Sequence, residues 1–156
     1  MGFKGRTFVK TTSEGVMLVF EIKHLSGILM VEDQEMLSFQ LDGNWVDFEV
    51  ITPVEELKWK PFDFWNGYSR LGIREFLKDR LPPLERDGAE QSFEDAGIPM
   101  NADVYLHFSC GRAVDDKCWI KFPDGPQTWE ECQKDWIEKS DRVMEKQRKR
   151  WALSRK

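Results

Sequence analysis

With 156 residues, 40% of them hydrophobic and 33% charged, the chain is the size of one domain with a single core, able to withdraw roughly 70% of its unfolded surface from water. Seven Trp and eleven Phe are too many aromatics for a disordered segment. The longest apolar run, residues 16–20, falls far short of the roughly 20 residues of a membrane span, so a soluble chain with no membrane partner is expected. The net charge of −5 is a modest difference between strongly acidic and strongly basic stretches.

The opening MGFKGR carries Arg6 where a myristoylation signal needs Ser or Thr, and no charged, apolar and small-residue succession marks an export signal. Together with three cysteines, an odd number, this predicts a reducing, cytoplasmic location rather than a disulfide framework. A strand is predicted over residues 6–11. Farther on, Met17, Val19, Glu21 and Lys23 oppose Leu18, Phe20 and Ile22 in the period of a strand, and similar runs follow in GILMVE, MLSFQL and WVDFEVI. Turn-like SEG (13–15), EDQE (32–35) and DGN (42–44) separate them, Asp42-Gly43 being a strong hairpin signal. Residues 1–52 therefore read as a β-meander.

Residues 53–102 begin with Pro53, which ends the sheet run, and an aromatic connector, KWKPFDFWNGY, expected to cover one end of the core. A short amphipathic helix follows over 69–81, capped by Ser69, stopped by Pro82-Pro83 and carrying Leu71, Ile73, Phe76, Leu77 and Leu81 on one side. The acidic loop after it has room for one helical turn in EQSFEDAG. Residues 103–122 read as a β-hairpin of DVYLHFS and CWIKF. Thr128 and Glu131 form a capping box before a long C-terminal helix over about 128–150, continued by a basic tail to 156. The expected fold is a single α+β domain over 1–156. Its antiparallel meander sheet has six or seven strands, with the middle helix and the C-terminal helix packed on one face.

The chain has two histidines, each followed two residues later by a serine. Residues two apart on a strand share a face, so His24 with Ser26 and His107 with Ser109 could converge on one phosphate. This pairing of H-x-S motifs resembles the two-histidine phosphoesterases. The resemblance implies phosphodiesterase chemistry, with the histidines as acid and base and the serines holding phosphate oxygens. It covers those four residues alone, and Lys23 stands where that family has an apolar or prolyl residue. His107, Cys110, Cys118 and Cys132 form a second constellation, the four nitrogen and sulfur ligands of a structural zinc, with reduced core thiols as the competing reading. Glu21 with Lys23, or Asp47 with Glu56 and Lys58, loosely resembles the PD-(D/E)xK nucleases, which implies a divalent ion; the same pattern also describes any half-buried strand. The favoured reading assigns no catalytic residue, no metal and no cofactor.

The charge layout carries that favoured reading. Between His24 and Leu57 lie Glu32, Asp33, Glu35, Asp42, Asp47, Glu49, Glu55 and Glu56, without a single Lys or Arg. An acidic meander of this kind attracts a basic protein partner, and Trp45 and Trp59 are candidate anchors beside it. The leading expectation is a small protein-binding module: an inhibitor, immunity or accessory protein acting on a basic nucleic-acid-handling partner. The tail is opposite in sign. Lys146, Arg148, Lys149 and Arg150, with Trp151 among them, allow a third reading, contact with nucleic acid through the C-terminal helix.

Overall fold

Alternating apolar and polar residues build the centre of the molecule as three strands, β1 (His24–Val31), β2 (Gln34–Asp42) and β3 (Trp45–Val50). The computed structural model describes residues 21–82, 89–113 and 115–154. Two-residue turns join the strands. Gly43 begins the second with a φ of +64°, which a type II′ hairpin requires and a side chain would resist. In the first, Glu32 takes a φ of +52° despite its side chain; its N–H donates to the Lys117 carbonyl (3.0 Å) and its own carbonyl accepts from Trp119 Nε1 (2.7 Å). A fourth strand, β4 (Cys118–Lys121), pairs antiparallel with the free side of β1, giving the order β3-β2-β1-β4.

The register decides what each face does. Leu25 lies opposite Leu41, Leu29 opposite Leu37 and Phe39 opposite Phe48, so these side chains point the same way, together with Val46, Cys118 and Ile120. Helix α1 (Arg70–Lys78) supplies Ile73, Phe76 and Leu77 to this face; it starts at Ser69, whose Oγ accepts from the Gly72 N–H at 2.9 Å. The connector forms two 3-10 turns, Val54–Glu56 and Phe62–Phe64, and buries Phe64 completely in the same cluster. Helices α2 (Ala89–Ala96) and α3 (Ala102–Ser109) close the far end, with Leu106 in the main core and Phe93 edge-on to Tyr105 at 5.6 Å. Asp103 of α3 accepts from the N–H groups of both Lys23 and His24 at 2.9 Å, which fixes where β1 begins.

Helix α4 (Trp129–Ser154) starts on the other face. There Met30 and Trp119 pack with Cys110 and Cys132, flanked by Ile28 and Trp129. The start of α4 is held twice: Thr128 Oγ1 accepts from Glu131 N–H at 3.1 Å, and Asp33 in the β1–β2 turn accepts from Trp129 N–H at 2.8 Å. Glu131 reaches back to the N–H of Gln127 (2.8 Å), one residue earlier than a capping box places it.

Four expectations need correction. Among the described residues the sheet has four strands, not six or seven; the strand predicted over 6–11 and the run before residue 21 lie outside them. The predicted break before GILMVE is absent, since β1 runs from His24 to Val31 straight through Gly27: a Cβ there would meet Ile120 Cγ2 at 2.8 Å, so glycine lets β4 approach β1, and residues 21–23 of the earlier run lie ahead of the strand. The 103–122 hairpin does not form. DVYLHFS is helical, capped by Asn101, which accepts from Val104 N–H at 3.0 Å, and it buries Ala102, Leu106 and Ser109. Nor do the helices share one face. Ile28, Met30 and Trp119 give β1 and β4 a second apolar side, and leaving it bare would forfeit about 1.5–3 kcal/mol for each large side chain.

Candidate functional site

The residues that alternate with the core set on β2 and β3 are Ser38, Gln40, Asp42, Trp45, Asp47 and Glu49, and all but the half-buried Ser38 are exposed. His24 and Ser26 of β1 continue this surface. His24 Nδ1 lies 2.9 Å from Asp42 Oδ1, with both side chains largely in solvent. Trp45, 56% exposed, donates its Nε1–H to Asp47 at 2.9 Å and carries the Arg70 guanidinium 4.5 Å above its ring. Arg70 is anchored in turn by donating from Nε to the Val46 carbonyl at 2.7 Å. The first turn of α1, which begins at Arg70, also packs on the Phe62–Phe64 turn, since the Gly72 backbone sits against the Asp63 carbonyl and the Phe64 ring. Beside that turn Phe62 (78% exposed) and Trp65 (62%) pair at 5.6 Å. The open acidic sheet face therefore carries the exposed Trp45, and the exposed Phe62–Trp65 pair lies on the connector turn against which α1 packs.

Not every carboxylate of the acidic stretch faces outward to a partner. Glu35 pairs with Lys121 at 2.5 Å, Glu32 lies 3.4 Å from Lys117, and Asp33 holds the start of α4. These three serve the fold. Asp42, Asp47, Glu49 and Glu55 remain on the surface, and among the described residues no Lys or Arg forms a salt bridge with them. Trp59, 44% exposed, sits in the connector.

The two H-x-S motifs are not brought together. His24 and Ser26 lie on the open sheet face, whereas His107 is on helix α3, stacked on Phe122 at 3.9 Å, and Ser109 is buried, accepting from Gly111 N–H at 3.1 Å. The four zinc candidates divide likewise. Cys110 and Cys132 share the cluster beneath α4, Cys118 lies in the main core on the opposite face, and His107 stays with Phe122. Among the described residues no three His, Cys, Asp or Glu are placed to hold a metal ion. Glu21 and Lys23 precede β1, and Glu56 lies in a 3-10 turn whose carbonyl accepts from Gln34, so neither forms a strand carboxylate beside Asp47.

An open groove of about 620 Å³ between α3 and α4 does collect reactive groups, His107, Cys110, Asp135 and Lys139 among them. Hydrogen bonding to Cys132, with burial, raises the Cys110 thiol well above its ordinary range. The same bond, helped by Arg112, lowers Cys132, while burial pushes Cys118 up to about 12. Lys139 is spent on Asp135 (2.9 Å) and on the Phe108 carbonyl (2.6 Å).

The basic end of α4 is partly spent too. Arg150 forks onto Asp95 of α2 at 2.5 and 2.8 Å, and Arg148 pairs with Glu145. Lys146, Lys149 and Trp151 are exposed on the same helix. Among the described residues no helix is long and apolar enough to cross a membrane. In comparisons with known proteins the chain matches no family model, and no curated protein or solved structure is significantly similar to it.

Proposed function

We propose that the chain is a protein-binding module that takes a basic protein partner on the open face of β2 and β3. The observation that carries this reading is the uncovered set Asp42, Asp47 and Glu49 around Trp45, on a sheet whose other surfaces are packed. Three carboxylates within a few strand spacings add their fields, speed encounter with a cationic surface and disfavour nucleic acid at that face. Trp45 offers large, rigid contact area at the turn end of that face. Partners that themselves handle nucleic acid present cationic surfaces of the required sign, which fits an inhibitor or accessory role.

A nuclear magnetic resonance titration of the full chain with a decapeptide of alternating Arg and Lys tests the reading. Amide shifts should concentrate on residues 38–49 at low salt and fade as salt shortens the screening length to about 8 Å or less. Reversal of Asp42, Asp47 and Glu49 to Lys should abolish them. Reversal of Glu75, Glu90 and Asp115, exposed carboxylates elsewhere, should leave them in place. Shifts centred on the α3–α4 groove, or equal loss in both triple variants, would overturn the assignment.

A further inference from the structure

Helix α4 is 26 residues long, about 39 Å, yet Cys132 is its one buried residue. Past its first turns its contacts with the body include Lys139, over the Phe108 ring of α3, and Arg150 and Gln147 on Asp95 of α2. Along another side of the helix, Ile137, Met144 and Trp151 are 59%, 63% and 62% exposed. One exposed apolar residue on a surface is ordinary. Three at intervals of seven are different, because seven residues is close to two helical turns, so they line up as one apolar row along the helix, at the spacing helices use when they lie side by side.

Charge selects the occupant. Residues 129–141 of the helix carry five carboxylates against two lysines, and residues 142–154 carry five cations against one glutamate. Two copies of α4 side by side in the same direction would set like against like at both ends. Laid in opposite directions, each acidic half meets a basic half. We propose that the Ile137–Met144–Trp151 stripe is the contact surface for a second copy of this chain, the two α4 helices lying antiparallel about a two-fold axis at Met144. In that register Met144 meets its own counterpart and Ile137 meets Trp151 of the second copy. Asp141 comes beside Arg148 of the second copy, twice by symmetry. Arg148 can serve Asp141 while keeping Glu145, since a guanidinium has five donors. One pair of helices buries an area at the low end for specific complexes, so the dimer is reversible rather than obligate.

Cross-linking and sedimentation of the full chain test the arrangement. Under mild copper-phenanthroline oxidation Met144→Cys should give a covalent dimer. Ile137→Cys alone should not, but mixed with Trp151→Cys it should cross-link, with the unsubstituted chain and its buried thiols as the control. In sedimentation, Asp141→Arg should weaken association about tenfold by placing cation against cation, and adding Arg148→Asp should restore it. Ile137→Cys dimerising with itself would overturn the antiparallel register. An unsubstituted chain that stays monomeric up to about 0.5 mM would overturn the dimer itself. If that monomer instead retained a defined single-stranded RNA, with strong salt dependence lost on deleting residues 145–156, the helix would belong to nucleic acid.

Discussion

Arg80 illustrates how much one side chain can hold. It is 8% exposed, forks onto Asp116 at 2.6 and 3.0 Å, donates to the Gly111 carbonyl at 3.2 Å and lies 4.1 Å above the Phe76 ring. It thereby ties the end of α1 to the segment entering β4. Arg80→Ala leaves the Asp116 carboxylate without its cation in a mostly buried place and should cost about 3–5 kcal/mol in urea unfolding. The double variant Arg80→Met with Asp116→Asn should recover most of that loss, because the remaining amide still accepts from Cys118 N–H and no buried charge is stranded. A double variant as unstable as the single one would mean that packing on Phe76, not charge, sets the cost. The sequence was silent about this pair. Nothing local to Arg80 or Asp116 signals a partner, and the same blindness applied to Glu32, Asp33 and Glu35, whose partners Lys117, Lys121 and Trp129 lie far along the chain.

Among the elements, those with a strong local signal were legible. Alternation and Asp42-Gly43 marked β2 and β3, Ser69 marked the start of the helix at Arg70–Lys78, and Thr128 with Glu131 marked the start of α4. Helix α3 was not legible as a helix, because seven residues with Val104, Tyr105, Leu106 and Phe108 apolar are too short a run for either period to decide. Asn101 followed by Asp103, a capping residue and a first-turn acid, was the available sign. The open acidic surface was half legible: counting carboxylates found it, but only the register separated Asp42, Asp47 and Glu49 from those turned to structural use. At the far end of α4 a different kind of dependence arises. The Arg150 guanidinium, bonded to Asp95, holds the Asp95 carboxyl below the usual carboxylate range, with further help from Gln91 and Gln147. Because the folded carboxyl is the stronger acid, the docking of α4 on α2 is fully present above the ordinary carboxylate range and is lost as pH falls through the depressed value. Amide exchange over residues 145–152 should therefore stay slow through mild acid and rise below the ordinary range. Asp95→Asn should raise it already at neutral pH while leaving exchange near Trp129 unchanged; equal exchange in both chains would leave the fork without a role in docking.

For the molecule as a whole, the deciding connection is the pairing of β1 with β4. Ile28 opposes Lys121, Leu29 opposes Ile120 and Met30 opposes Trp119, so the central strand takes one neighbour from its own hairpin and the other from the far part of the chain. A chain stopped after residue 112 loses β4 and the first turns of α4, baring Met30 and Ile28 and one whole edge of β1. It should show no cooperative transition in urea by tryptophan fluorescence, whereas a chain stopped after residue 144 should retain one; a sharp transition in the shorter chain would make the meander and its helices self-sufficient. The same connection has a meaning in time. About 70 residues separate the end of β3 from the start of β4, and at ribosomal rates of about 5–20 residues per second they take roughly 3–14 s to be made. For that interval the nascent chain carries a finished hairpin with an open, apolar inner edge, and its fate depends on whatever shields that edge until Trp119 arrives.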